Sequence, residues 1–163
     1  SNLSLLNLLD GLRGTGIQPR GLMPEAGDLG TELTRLGVPF LAEQFRWWVT
    51  PRPRPLAGVW RLVRNLRVLP GMAARLAADG CDLVYTNSSV IGFGTLLARR
   101  LRRPHVWHLR EFVNRGQGYH FDWGHGALRR SVARSAASIC VSRAVQDHHV
   151  PAPARERSRV VCN

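Results

Sequence analysis

Polar side chains that can handle phosphates or hydroxyls stand at the ends of several short apolar runs in this chain. Asn87 and Ser88 follow Leu83-Val84-Tyr85, His108, Arg110 and Glu111 close the run that begins at His105, and Ser142 and Arg143 follow Ser138-Ile139-Cys140-Val141. Ser1 and Asn2 stand at the start of the first helical run. Arginine's planar fork takes anionic groups in two-point fashion, and a carboxylate accepts from hydroxyls, so Arg110 and Glu111 suit a ligand rich in both. Free N–H groups at helix starts favour an anion. Each group also has a plainer use. His108 can be a half-buried strand histidine bonded to a neighbouring carbonyl, Arg110 and Glu111 a surface ion pair, and Ser142 a helix cap beside a solvated Arg143. His105 and His108, three apart on a strand, face opposite ways and cannot share a metal there.

Other motifs carry less. Gly92-Phe93-Gly94 begins like a dinucleotide fingerprint, but the third glycine position is Leu97, and close helix packing explains the pair better. There is no nucleophile elbow and no phosphate loop. Cys81, Cys140 and Cys162 are odd in number and far apart, so neither a disulfide framework nor a zinc knuckle is indicated, and buried reduced thiols of a cytosolic protein are expected. His120 and His125 lie in a glycine-rich stretch that substrate binding can order, although such loops are commonly just mobile.

Composition sets the bounds. With 163 residues, 44% hydrophobic and 21% charged, the chain has the size and balance of one folded domain. No apolar run approaches the roughly 18 residues that span a bilayer, and the N-terminal segment has no basic leader. The 23 basic residues are all arginine and outweigh 11 acidic ones, giving +12. Such a surface suits phosphates, anionic lipid or nucleic acid, and genomic bias toward arginine is an equal alternative. Trp47 and Trp48, with Arg52 and Arg54 nearby, have the composition of an interfacial membrane anchor, against a core-packing role for the same segment.

The elements that must position these residues alternate. A helix over 1–12 stops at Gly14 and Gly16, a strand within 17–23 follows, and an acidic loop leads to a helix at 31–36 and a strand at 38–41. Prolines make 45–55 irregular. A long helix over 56–78, kinked or split at Pro70-Gly71, carries Val59, Leu62, Val63 and Leu66 on one face, suited to core packing or to a membrane interface, and Arg61, Arg64 and Arg67 on another. Strands are expected at 83–85, 105–110, 138–141 and 160–162, with helices after Asn87-Ser88-Ser89 as N-cap, over 127–137 and over 143–150. This order predicts an α/β fold with a doubly wound parallel sheet, whose ligands bind at the carboxyl ends of the strands.

The same segments resemble the N-terminal half of a retaining glycosyltransferase of family 4. The helix from Ser1, the Gly27-Asp28-Leu29 loop, the Gly37-Val38-Pro39 segment and Cys81 to Ser88 match its order. The run Pro104 to Phe112, P-H-V-W-H-L-R-E-F, with I-C-V-S at Ile139 to Ser142, is the most specific similarity. The family's glycine pair before the first helix is missing. The resemblance implies a Rossmann-like domain over 1–163, one half of a GT-B architecture, with a first strand, its glycine loop and a C-terminal donor-binding domain lying outside it. It implies transfer from a nucleotide-sugar donor to a glycan or lipid-linked acceptor with retention, without cofactor or metal. His108 would face the sugar cleft as the catalytic residue, with Ser1, Asn2, Asn87, Ser88, Arg110, Glu111, Ser142 and Arg143 binding substrate. The domain would be inactive alone, cytoplasmic and peripheral at an anionic membrane. The alternatives are a basic nucleic-acid-binding module, for which no recognition helix, stacking sheet or zinc spacing is seen, and a non-catalytic nucleotide-binding domain.

Overall fold

A computed structural model of the protein describes residues 3–52, 55–113 and 118–162. Two compact units divide it, Ser1–Phe45 and Arg46–Asn163. In the first, α1 (Leu3–Gly11), β1 (Gly21–Met23), α2 (Gly27–Arg35) and β2 (Phe40–Ala42) follow one another, and β1 pairs with β2 in parallel. Helix α2 begins four residues ahead of the expected 31, with Asp28 in its first turn where a carboxylate complements the helix dipole. Gly37 closes it at φ +69°, a conformation that costs glycine little. Met23, Leu33 and Val38 form this unit's core, with Leu6, Leu9 and Phe40 packed on it.

The second unit holds the longer sheet. Strands β4 (Val84–Thr86), β5 (His105–Leu109), β7 (Ala137–Cys140) and β8 (Ser158–Val160) lie side by side in that order, all parallel. Between them run α4 (Phe93–Leu101), α5 (His125–Arg134) and α6 (Arg143–His149), and a short 3-10 turn (Ala152–Arg157) precedes β8. Parallel strands require such crossovers. Trp107, Leu109, Leu128, Val132, Cys140, Val145 and Val150 fill the space between sheet and helices. The stretch expected to be irregular contributes β3 (Val49–Thr50), which pairs antiparallel with β6 (His120–Phe121).

Helix α3 (Pro55–Ala78) corrects two expectations. It continues through Pro70 without being split, and Pro70 lies on its exposed side. Its buried side carries Asn65, Leu69, Met72 and Leu76, while Val59, Val63 and Leu66 of the expected apolar face point outward with Leu56 and Trp60. Asn65 explains part of this orientation. Its side chain accepts from the Arg46 amide at 2.7 Å and donates to the Arg46 carbonyl at 3.0 Å, a buried pair of bonds that orients the helix. Arg61, expected among solvated arginines, instead forms a two-point ion pair with the buried carboxylate of Asp122.

Candidate active site

The carboxyl ends of β4 and β5 hold a tightly bonded cluster. Glu111 reaches back to the turn after β4: Ser88 Oγ donates to its Oε1 at 3.1 Å and the Ser89 amide to its Oε2 at 2.8 Å. Ser89 Oγ donates to the Glu111 carbonyl at 3.2 Å. Two indoles hold the same turn from inside, Trp107 Nε1 donating to the Ser88 carbonyl at 2.9 Å and Trp48 Nε1 to the Ser89 carbonyl at 3.0 Å. Every bond here joins residues distant in sequence, so the turn's shape is set by tertiary contact.

These contacts show what several of the predicted residues already touch. Glu111 is the clamp that fixes the β4 turn, with both carboxylate oxygens engaged, and Ser88 is buried beneath it. Asn87-Ser88-Ser89 caps no helix, because α4 begins at Phe93 after Gly92. Trp48 is not an exposed anchor. Its ring stacks on Trp107 at 5.8 Å and meets Phe121 edge-on at 5.7 Å. Trp47 is exposed, Arg52 is exposed, and Arg54 lies outside the described residues, as do Ser1 and Asn2.

The two glycines of the truncated fingerprint serve packing. A Cβ on Gly92 would stand 2.5 Å from Trp48 Cδ2, and one on Gly94 would overlap Thr86 Oγ1. Both glycines therefore admit side chains that build the site's floor.

Three polar atoms in this region are buried and unpartnered among the described residues: Asn87 Oδ1, His108 Nε2 and Arg110 Nη1. Tyr85 Oη meets His108 Nδ1 at 2.6 Å. Burial raises the Tyr85 pKa and keeps the phenol protonated, so with Tyr85 donating to Nδ1 the ring proton of His108 sits on Nε2. Burial, with Arg110 nearby, lowers the His108 pKa, although Glu111 opposes this, and a neutral imidazole follows. The result is a donor at His108, a donor at Arg110 and an acceptor at Asn87, none with a partner among the described residues. Buried polar atoms without partners cost free energy.

His105, on the other face of β5, is bonded to Thr86 Oγ1 at 2.8 Å, and burial pushes its pKa down to about 4. It belongs to the core. Ser142 caps α6 by accepting from the Val145 amide at 3.2 Å, and Arg143 is exposed beside it, its guanidinium 3.4 Å from Gln146 Oε1. Ser142 thus has the capping role, and Arg143 lies solvated beside it. Of the three cysteines only Cys140 is buried, Cys162 is exposed and Cys81 lies between.

A surface depression of about 630 Å³ belongs to the first unit and is lined by Leu3, Asn7, Asp10, Arg13 and Glu32 among others. Its charges are already matched, Arg13 with Asp10 and Arg35 with Glu32, so it has none of the unpartnered polar atoms found after β4 and β5. Tyr85 and Trp107, which were not among the predicted site residues, contact this cluster through His108 and the Ser88 carbonyl. The period-two pattern placed both on β-strands, but only the sheet register, Tyr85 opposite Val106 and Thr86 opposite Trp107, brings them to this edge.

A parallel α/β sheet with its polar cluster at the carboxyl edge is the arrangement of one half of a GT-B transferase. The chain belongs to glycosyltransferase family 4, whose model matches residues 2–163. It is similar in fold to the crystal structure of Anabaena HepE in complex with UDP-glucose, with a TM-score of 0.63 at 21% identity over 99% of this chain. HepE in complex with UDP gives a TM-score of 0.64 at 22% identity, again over 99% of this chain. In both cases this chain spans 40% of the length of the HepE chain. No curated protein sequence matches it.

Proposed function

We propose that this chain is the acceptor-side domain of a retaining sugar transferase, which moves a sugar from a nucleoside-diphosphate sugar to a glycan or lipid-linked acceptor. The observation that carries this reading is the trio of unpartnered buried atoms on Asn87, His108 and Arg110. Their mix of two donors and one acceptor suits hydroxyls and anionic oxygens. His108 Nε2–H orients a sugar oxygen, and Arg110 offsets the charge that develops as the diphosphate leaves. Family membership supports the donor class, and a nucleotide diphosphate sugar is the donor that HepE's bound UDP-glucose suggests. Residues 1–163 alone are expected to bind without turning over.

The test is His108→Ala in the intact protein. Turnover should fall by at least about 100-fold, the scale of a lost preorganised donor, while the melting temperature changes little. Parallel loss of melting temperature and activity would leave His108 a packing residue and refute the reading.

A peripheral, cytoplasmic location at an anionic membrane is part of the proposal, on a revised surface. No helix among the described residues is long and apolar enough to cross a membrane. Along α3, Leu56, Val59, Trp60, Val63 and Leu66 are exposed, from 40% at Val63 to 83% at Leu56. Arg46 and Arg64 each stand 5.6 Å from the Trp60 ring. An apolar ridge edged by arginine is complementary to acyl chains below anionic headgroups.

A further inference from the structure

Three histidines converge in the second unit, apart from the polar trio. His125 opens α5, and His148 and His149 end α6. One ring nitrogen of each lies within 4.8 Å of the other two. His125 Nε2 and His149 Nδ1 are 3.0 Å apart. We propose that His125, His148 and His149 form a site for a divalent transition metal of the zinc type, independent of the transferase reading.

The geometry of the supporting bonds carries this. His149 Nε2 lies 2.8 Å from the Glu111 carbonyl, which can only accept, so the ring's proton sits on Nε2 and its lone pair on Nδ1 faces the other two rings. A ligating histidine held by its second nitrogen in this way has a fixed tautomer and orientation. His148 is carried on the same turn, whose backbone is tied down by Arg129 Nη1 donating to the His148 carbonyl at 2.8 Å. His125 now donates to His149, and ligation requires only that its proton move to its own Nδ1, so no net proton is released.

Distances agree with the proposal. Zinc–nitrogen bonds of about 2.0–2.1 Å in a tetrahedral site set ligand nitrogens about 3.3 Å apart. The His125–His149 pair is close to that, and the widest separation closes by roughly 1.5 Å through rotation of a partly exposed ring. His125 and His148 are those partly exposed rings, while His149 is fully buried. Phe112 and Phe121 pack beside the cluster, their rings 5.2 Å from His148 and 6.1 Å from His125. An all-imidazole set of three with a place left for solvent suits zinc, cobalt, nickel or copper and is unsuited to magnesium or calcium. The Glu111 carbonyl links it to the clamp, so a bound metal would tie α5 and α6 to the segment after β5.

The test uses the protein purified without a histidine tag and stripped by chelator. Titration with cobalt(II) should give the intense visible absorption of a tetrahedral site at one equivalent, displaced by zinc(II), and either metal should raise the thermal unfolding midpoint. His125→Ala and His148→Ala, both at partly exposed positions, should retain the metal-free midpoint and weaken cobalt binding by more than about 100-fold, beyond the usual loss from removing a supporting partner. Two separate variants keep the test decisive if one fails to fold. Absence of a tetrahedral cobalt spectrum, or a spectrum and affinity unchanged in a folded variant, would overturn the site.

Discussion

Removing the Glu111 carboxylate is the most direct way to distinguish a clamp from a ligand-binding group. Glu111→Ala deletes the bonds from Ser88 Oγ at 3.1 Å and the Ser89 amide at 2.8 Å, and leaves that amide inside a residue with no exposed surface. A hydrogen bond to a charged group contributes about 1.5–3 kcal/mol, so the two together account for about 3–5 kcal/mol once the partial exposure of Glu111 is discounted. For a chain of this size that is a fall in melting temperature on the order of 10 °C. Glu111→Gln keeps an acceptor for the Ser89 amide and should lose only about 1–2 kcal/mol. Urea and thermal unfolding followed by circular dichroism measure both variants against the parent. If Glu111→Ala lies within about 1 kcal/mol of the parent, the clamp assignment is wrong and the carboxylate is available to substrate.

Three other outcomes follow from packing and charge. The folded-state pKa of His105, about 4, lies below the ordinary 6.5, so between those values the unfolded chain binds a proton that the folded chain refuses. Stability therefore falls as pH drops through that window, by about 3 kcal/mol from this residue, and His105→Gln should show a flatter unfolding profile; an unchanged slope would exclude His105 as a cause. Gly94→Ala should destabilise the fold by at least about 2 kcal/mol in urea unfolding, because the new Cβ overlaps Thr86 Oγ1 and crowds the His105 ring; a neutral effect would contradict this packing. Trp60→Ala should weaken co-sedimentation with anionic vesicles about tenfold at unchanged stability, whereas Trp48→Ala should cost about 3–5 kcal/mol of stability; equal sedimentation of Trp60→Ala and parent would remove the membrane surface.

Local pattern determined the order of strands and helices and the edge where polar groups gather. The runs around Val84, Val106 and Ile139 are short, apolar and separated by helical segments, which admits few arrangements other than a parallel sheet with crossovers. That placed Asn87, His108 and Arg110 at strand ends before any contact was known. The outward turn of α3 was not legible, because the helix is apolar on both sides and periodicity reports a stripe without saying which stripe is inside; Asn65 and its two bonds to Arg46 contribute to that choice. Nor could composition distinguish Trp47 from Trp48, adjacent residues of one type. One is exposed, while the other stacks on Trp107 and bonds to a carbonyl 41 residues away. Glu111 shows the same limit: a charge at a strand end is visible in sequence, but the buried amide and hydroxyl that donate to it come from a separate loop. Spacing along a chain fixes which face a residue shares with its near neighbours, and only folding fixes which distant groups have already taken its hydrogen bonds.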